Sequence, residues 1–320
     1  MKNPNRPCYK YRPIKNIEIL SKVLGLEVSA LLDLASTANQ RYRLAKSEVK
    51  SDGKIRQTYD ALGLLKEVHD RIKRKLLLRV NFPEYLTGSL KGKDYVVNAL
   101  LHVGSKIVIS EDVEAFFPST SENLIFGIWK HFFGFSDEVA QVLTKLTTKD
   151  GELPQGAKTS SYLANLAFWN IEYALYEDLR IQGMVYSRYV DDICISSKSY
   201  LTNADKSKII ARVYGMLRGC GYSAKRKKHE IATSRMRMAV TKLTVNGRNP
   251  SLTKKDRASI RTAIFHLENK SNVTGTDINK ASGLAAKISR FHPTEGRRLL
   301  NRVRSVRNMH NSTSAKRPSV

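Results

Sequence analysis

Residues 184–196, Met-Val-Tyr-Ser-Arg-Tyr-Val-Asp-Asp-Ile-Cys-Ile-Ser, set two adjacent carboxylates, Asp191 and Asp192, between two runs rich in β-branched and aromatic residues. Such side chains favour extended backbone and Asp favours turns, so the stretch is read as strand, tight turn, strand. Adjacent carboxylates at one tip repel each other. Solvated, they make an ordinary hairpin turn; buried or half-buried, they need a cation between them, and a divalent metal such as Mg²⁺ meets that need. Everything else in the chain bears on which of the two holds.

At 320 residues the chain can hold one large domain or two to three subdomains. It carries 55 Lys and Arg against 29 Asp and Glu, a net charge of +26. So large an imbalance predicts an anionic partner, nucleic acid first, because a polyanion rewards distributed positive charge by releasing counterions. No run of about eighteen apolar residues occurs, and Met1 to Arg6 has charges with no apolar core behind them, so neither a membrane span nor a signal peptide is expected. Cys8, Cys194 and Cys220 are too scattered for a zinc site or a disulfide framework, which fits a reducing cytoplasm.

Apolar spacing predicts two short helices over 14–34, broken near Gly25. Two strands around Ser51-Asp52-Gly53 follow, a basic hairpin bearing Lys50, Lys54 and Arg56 that either reaches for phosphates or is an exposed charged ribbon. A helix is expected over 62–80, and a short one ending at Asn98-Ala99-Leu100-Leu101-His102. Ile107 to Ile109 read as a buried strand that runs into Glu111, Asp112 and Glu114 and then Phe116-Phe117. Carboxylates at a strand end are held rigidly, as metal ligation requires, though a loop or capping role fits the same text. Two helices around Gly134, with Ser136 as a cap, precede the loop Leu153-Pro154-Gln155-Gly156, which leads into an apolar helix over 162–179. Loop N–H groups and a helix N-terminus suit phosphate or base contacts. After the acidic hairpin come a helix over 203–217, the basic run 225–229, a strand over 238–245 with its turn at Asn246-Gly247, and a mostly helical end over 253–310. Arg297, Arg298, Arg302, Arg304 and Arg307 line that end with few acids to balance them, and 311–320 reads as a disordered tail.

Together these stretches resemble a reverse transcriptase. Residues 106–118 are similar to the family's first catalytic motif, a strand ending in Asp and then Phe-Phe; residues 153–166 to its Leu-Pro-Gln-Gly loop; and Tyr189-Val190-Asp191-Asp192 to its catalytic hairpin. Within that superfamily the chain resembles the bacterial retron enzymes, with Asn98-Ala99-Leu100-Leu101-His102 similar to their Asn-Ala-x-x-His signature. Val240-Thr241 stands where they carry Val-Thr-Gly, with Lys242 in place of the glycine, and Lys158 and Ser161 stand where prolines are usual.

The resemblance implies an α+β right-hand polymerase fold with an antiparallel palm sheet. It places an N-terminal helical segment at 1–40, fingers at 41–105, palm with finger insertions at 106–245 and a helical thumb at 246–310. It implies that Asp112, Asp191 and Asp192, with the carbonyl of Val113, hold two Mg²⁺ ions. Lys54 and Arg56 would grip the triphosphate, Gln155 and Gly156 lie under the nucleotide, Phe117 exclude a ribose 2′-OH, and Lys227 or Lys228 meet the leaving pyrophosphate. Asn98, His102, Arg297, Arg298, Arg302 and Arg304 would contact RNA. The implied activity is RNA-directed DNA synthesis from dNTPs on a structured noncoding RNA. Its product would be branched RNA-linked single-stranded DNA (msDNA), often in phage defence beside an effector protein. Group II intron-like or abortive-infection reverse transcriptases are the nearest alternative, and a silent RNA-binding scaffold or a metal-dependent nuclease a more distant one.

Overall fold

A computed structural model describes residues 5–49 and 53–315, so Lys50 and the expected turn residues Ser51 and Asp52 lie outside it. Strand β1 (Cys8–Tyr9) precedes α1 (Ile17–Leu24) and α2 (Val28–Thr37). Asn16 caps α1 by accepting from the Ile19 N–H at 2.9 Å, and Gly25 ends it at φ 65°, a conformation that costs little without a Cβ. Strands β2 (Tyr42–Val49) and β3 (Ile55–Ala61) pair antiparallel, and α3 (Gly63–Lys75) buries Leu65, Val68 and Ile72. The helix expected to reach Val80 stops at Lys75. A tight turn over Leu77–Arg79 then feeds β4 (Val80–Asn81), whose backbone groups pair with β1.

Helix α4 (Tyr95–Leu100), capped by Asp94, leads to β5 (Ile107–Asp112). Helices α5 (Glu122–Gly127), α6 (Asp137–Thr147), α7 (Ser160–Asn165) and α8 (Glu172–Ile181) follow, with Ser136 capping α6 as expected. The single helix expected over 162–179 is therefore two. Apolar residues run through 162–168 without a helical period, and the Asn165 carbonyl is taken by the Arg188 guanidinium at 2.9 Å.

Strands β6 (Met184–Tyr189) and β7 (Asp192–Ser197) form the acidic hairpin, and α9 (Asn203–Gly219) leads to β8 (Glu230–Thr233). In place of one strand over 238–245 there are two, β9 (Ala239–Val240) and β10 (Leu243–Thr244). They turn at Thr241 and Lys242, both left-handed at φ 46° and 69°, rather than at Asn246-Gly247. Asn246 instead closes the hairpin base, accepting from the Met238 N–H at 2.8 Å and donating to the Met236 carbonyl at 2.7 Å. Helices α10 (Lys254–Glu268), α11 (Gly275–Phe291) and α12 (Pro293–Ala315) complete the chain. Helix α12 carries the first five residues of the expected tail, and 316–320 lie outside the described residues. At Gly296, α12 lies so close to α11 that a Cβ would meet the Ser289 Cα at 2.2 Å.

The site is built on one antiparallel sheet, ordered β6-β7-β5-β8. Strand alternation sends Tyr186, Ile193, Ile195 and Ile109 into a large core shared with α1 to α3 and α5 to α9, and Val108, Cys194 and Ala232 into a second core with α4, β9, β10 and α10 to α12. Both faces are thus covered, which is why β5 and β7 read as apolar runs up to their acids.

Candidate active site

The register of β5 and β7 sets Asp112 directly opposite Asp192, so both side chains leave the same face of the sheet. Asp191 occupies the two-residue turn closed by the Tyr189–Asp192 pair, and its carbonyl accepts from the Val113 N–H at 3.0 Å. Burial, then the charges of Asp191 and Asp112, push the Asp192 carboxyl up to about 7; burial and Asp112 also raise Asp191. Like charges held out of water call for a cation. Partial burial disfavours the Lys228 ammonium, but its ion pair with Asp112 outweighs that and raises its pKa. Among the described residues no three His, Cys, Asp or Glu side chains are grouped so that they could hold a metal ion in this arrangement. The three aspartates bring hard carboxylate oxygens to one end of the sheet, the donor type that suits a hydrated Mg²⁺.

Val113 faces Ala224 in an antiparallel bridge whose hydrogen bonds are made by its neighbours: Glu114 N–H to the Ser223 carbonyl and Lys225 N–H to the Asp112 carbonyl. Its own N–H and C=O therefore point to the other side, where the N–H meets Asp191. Next door, Glu111 is buried and accepts from Tyr214 Oη at 3.2 Å and pairs with His229 Nδ1 at 2.6 Å, which anchors the segment carrying Lys228.

The turn itself is strained. Val190 sits at φ 61°, where a β-branched residue costs on the order of 1–3 kcal/mol. Arg188, wholly buried, donates to the Val190 carbonyl at 3.0 Å while its other nitrogens grip Glu172 at 2.6 and 2.8 Å. Behind the turn lies Gly88, where a Cβ would stand 2.5 Å from the Val190 nitrogen. Sequence reading missed Arg188, Glu172 and Gly88. The available signal was a charge inside an apolar strand, which demands a buried partner.

On the other side of the acids, the β2–β3 hairpin is clamped to the Gln155 loop. Tyr59 N–H donates to the Gln155 carbonyl at 2.7 Å and Arg56 Nε to Gln155 Oε1 at 3.1 Å. Gly156 is pressed against β3, with a Cβ there meeting the Tyr59 carbonyl at 2.8 Å. Arg56 is near enough for its charge to favour ionised Asp191, and Lys54 pairs with Glu114 at 2.6 Å. Phe116 packs in the core against Phe168 and Tyr222, whereas Phe117 is only half-buried. Arg56, Val113 and Lys228 thus come to the aspartates from three separate stretches, with Gln155 held by Arg56 and Lys54 by Glu114.

The RNA contacts expected of Asn98 and His102 are corrected: both are 0% exposed and cannot meet a macromolecule in this arrangement. Their backbone lies on and just after α4; Asn98 Oδ1 and both His102 ring nitrogens have partners inside the protein, whereas Asn98 Nδ2 is buried without one. Arg302 is also committed, in a two-pronged bond to Glu268 on α10 at 2.7 and 2.5 Å, which ties α12 to α10. Arg297, Arg298 and Arg304 are exposed and make no ion pair among the described residues.

The family profile described as reverse transcriptase (RNA-dependent DNA polymerase) matches residues 46–259, which include all three aspartates and the Gln155 loop. Along nearly the whole chain there is a second likeness, 33% identity over 314 residues to the retron Se72 reverse transcriptase of Salmonella heidelberg, covering 94% of this chain and 83% of that protein. The chain belongs to the retron reverse transcriptases. The retron Ec86 enzyme of Escherichia coli is 29% identical over 257 residues, 79% of this chain and 78% of its own. The retron Ec48 enzyme, also from Escherichia coli, is 31% identical over 269 residues, 80% and 65% respectively. This reverse transcriptase is an RNA-directed DNA polymerase with the polymerase fold of its family. No helix among its described residues is long and apolar enough to cross a membrane.

Proposed function

We propose that Asp112, Asp191 and Asp192, with the Val113 carbonyl, hold two Mg²⁺ ions for nucleotidyl transfer from dNTPs. The observation that carries this is the direct pairing of Asp112 with Asp192 beside Asp191, three carboxylates that destabilise one another. Bound there, the ions would supply Lewis acidity to the primer hydroxyl and the departing pyrophosphate. Arg56 and Lys54 grip the triphosphate, Gln155 and Gly156 form the floor under the base, and half-buried Phe117 stands against a ribose 2′-OH, favouring deoxynucleotides. Lys228 is an ammonium at neutral pH, as lysines ordinarily are, and its ion pair with Asp112 only strengthens that, so it can exchange Asp112 for the pyrophosphate as charge builds there.

The likeness to retron enzymes supports the wider reading. The substrate is a structured noncoding RNA, the product branched RNA-linked single-stranded DNA made in the cytoplasm, and the setting antiphage defence with an effector protein. In this reading 41–105 are fingers, 106–245 palm and 246–310 a thumb whose Arg297, Arg298 and Arg304 hold the RNA. Labelled-dNTP incorporation on the cognate RNA tests the site: Asp191→Asn with Asp192→Asn should abolish Mg²⁺-dependent synthesis, and undiminished synthesis would overturn it. Sequencing the copurifying nucleic acid tests the product, which should be DNA joined to one RNA species.

A further inference from the structure

The acidic hairpin is held by more than its own ladder. His102, following α4, lies between two hydroxyls, with Nδ1 2.8 Å from Ser196 Oγ and Nε2 2.7 Å from Ser187 Oγ. Ser187 is on β6 and Ser196 on β7, so one imidazole spans both strands of the hairpin. All three side chains are at most 1% exposed. A neutral imidazole donates from one nitrogen and accepts at the other, and each serine can take either part, so the bridge is fully satisfied.

A second tie reaches the turn from its open edge. β6 is the edge strand, and residues 85–87 pair with it at Arg188: Arg188 N–H donates to the Tyr85 carbonyl at 2.9 Å and Thr87 N–H to the Arg188 carbonyl at 3.0 Å. Thr87 Oγ1 donates to Asn98 Oδ1 at 2.7 Å, with the Arg188 carbonyl at 3.2 Å as its other acceptor. Gly88, the next residue, abuts Val190, and its carbonyl accepts from Asn165 Nδ2 at 2.8 Å. Asn98 and His102 thus sit one helical turn apart on one short segment and reach the two places that determine where the turn stands.

We propose that Asn98 and His102 are positioning residues of the catalytic hairpin, His102 tying β6 to β7 through Ser187 and Ser196, and Asn98 fixing through Thr87 the segment on which the Val190 turn rests. The proposal rests on reading Asp191 and Asp192 as catalytic carboxylates. An apolar trio would fill the same volume, but it would not fix the direction of the strands; hydrogen bonds do. The strained Val190 supplies the need, since a turn in a sparsely populated conformation persists only where its surroundings over-determine it.

The test uses the full-length protein and separates rate from RNA affinity. His102→Leu and Thr87→Val should each lower kcat for dNTP incorporation at saturating RNA and dNTP by about tenfold or more. The Kd for the cognate RNA should stay within about twofold, since neither side chain is exposed. His102→Gln, with one amide donor and one acceptor, should recover part of the rate, and adding Ser187→Ala to His102→Leu should cost little more, because both remove the same bond. Asp191→Asn runs alongside. If it is inactive while His102→Leu and Thr87→Val keep full kcat, the positioning role falls and the site reading stands. Weaker RNA binding with kcat intact at saturating RNA would overturn the role in favour of RNA contact. An active Asp191→Asn would remove the site reading and this proposal with it. Should His102→Leu fail to fold, Thr87→Val and Ser187→Ala decide alone.

Discussion

Asp192 faces Asp112 across the β5–β7 ladder and adjoins Asp191, and burial with these two charges pushes its carboxyl up to about 7. An aspartate raised in the folded state subtracts stability as pH climbs from its unfolded value, near 3.9, through the folded one, because the unfolded chain ionises more readily. Asp192→Asn removes that charge. It should melt at a higher temperature than the parent in metal-free buffer at pH 8, yet lose at least about a hundredfold in dNTP incorporation. Added Mg²⁺ should raise the parent's melting temperature more than the variant's, since only a ligand bound to the folded state stabilises it. Calorimetry with and without Mg²⁺ checks both; a less stable variant would contradict the crowding. Two histidines act in the opposite direction. Burial lowers His69 and His102 to about 4, so both are neutral in the fold. Their contribution is complete above the unfolded value near 6.5 and is lost as pH falls toward 4, on the order of 3 kcal/mol for each. Urea denaturation across pH 7 to 4.5 should show it, and His102→Gln should flatten the slope.

The β9–β10 hairpin turns through Thr241 and Lys242, both left-handed, a pair of conformations that two-residue hairpins ordinarily give to Asn and Gly. Lys242→Gly should therefore stabilise the protein by up to about 1 kcal/mol, measured by denaturant midpoint. Elements with local signals were legible in the sequence. Ser136 caps a helix, Gly25 stops one, and the alternation around Asp191-Asp192 is a hairpin. What escaped depended on distant partners. The helix after Tyr162 breaks where Asn165 serves Arg188, and residues 238–245 fold back where Asn246 stands in for a strand. In the site, the three aspartates are picked out by the likeness of their stretches to reverse transcriptase motifs, since a strand end and a turn alone leave capping and solvated roles open. Asn98 and His102 are read as RNA contacts from their likeness to the retron signature, and residue type alone does not tell a buried polar residue from an exposed one.

Across the whole molecule, +26 of net charge sits on a frame whose acids are largely engaged in structure. Glu268 holds Arg302, and Glu295 holds Arg257 and Arg261 at 2.5 and 2.6 Å, so α10 and α12 are bound together and Arg297, Arg298 and Arg304 remain for a polyanion. Replacing all three by alanine should weaken RNA binding and make the plot of log affinity against log salt shallower by about two units. Arg302→Ala should instead cost thermal stability, because it unties the helices. A salt titration by filter binding distinguishes these outcomes.

Gly88 is where the molecule leaves the catalytic turn no room to retreat. With the Val190 backbone already seated on it, any side chain at residue 88 forces the turn or its own segment to shift. A methyl there would act as a shim, and a displacement of the turn by about 1 Å is enough to cost on the order of a hundredfold in rate. Gly88→Ala should show that loss in kcat while the RNA complex forms as before. On the proposed reading of the site, residue 88 thus works as the backstop of a turn a hundred residues further along the chain.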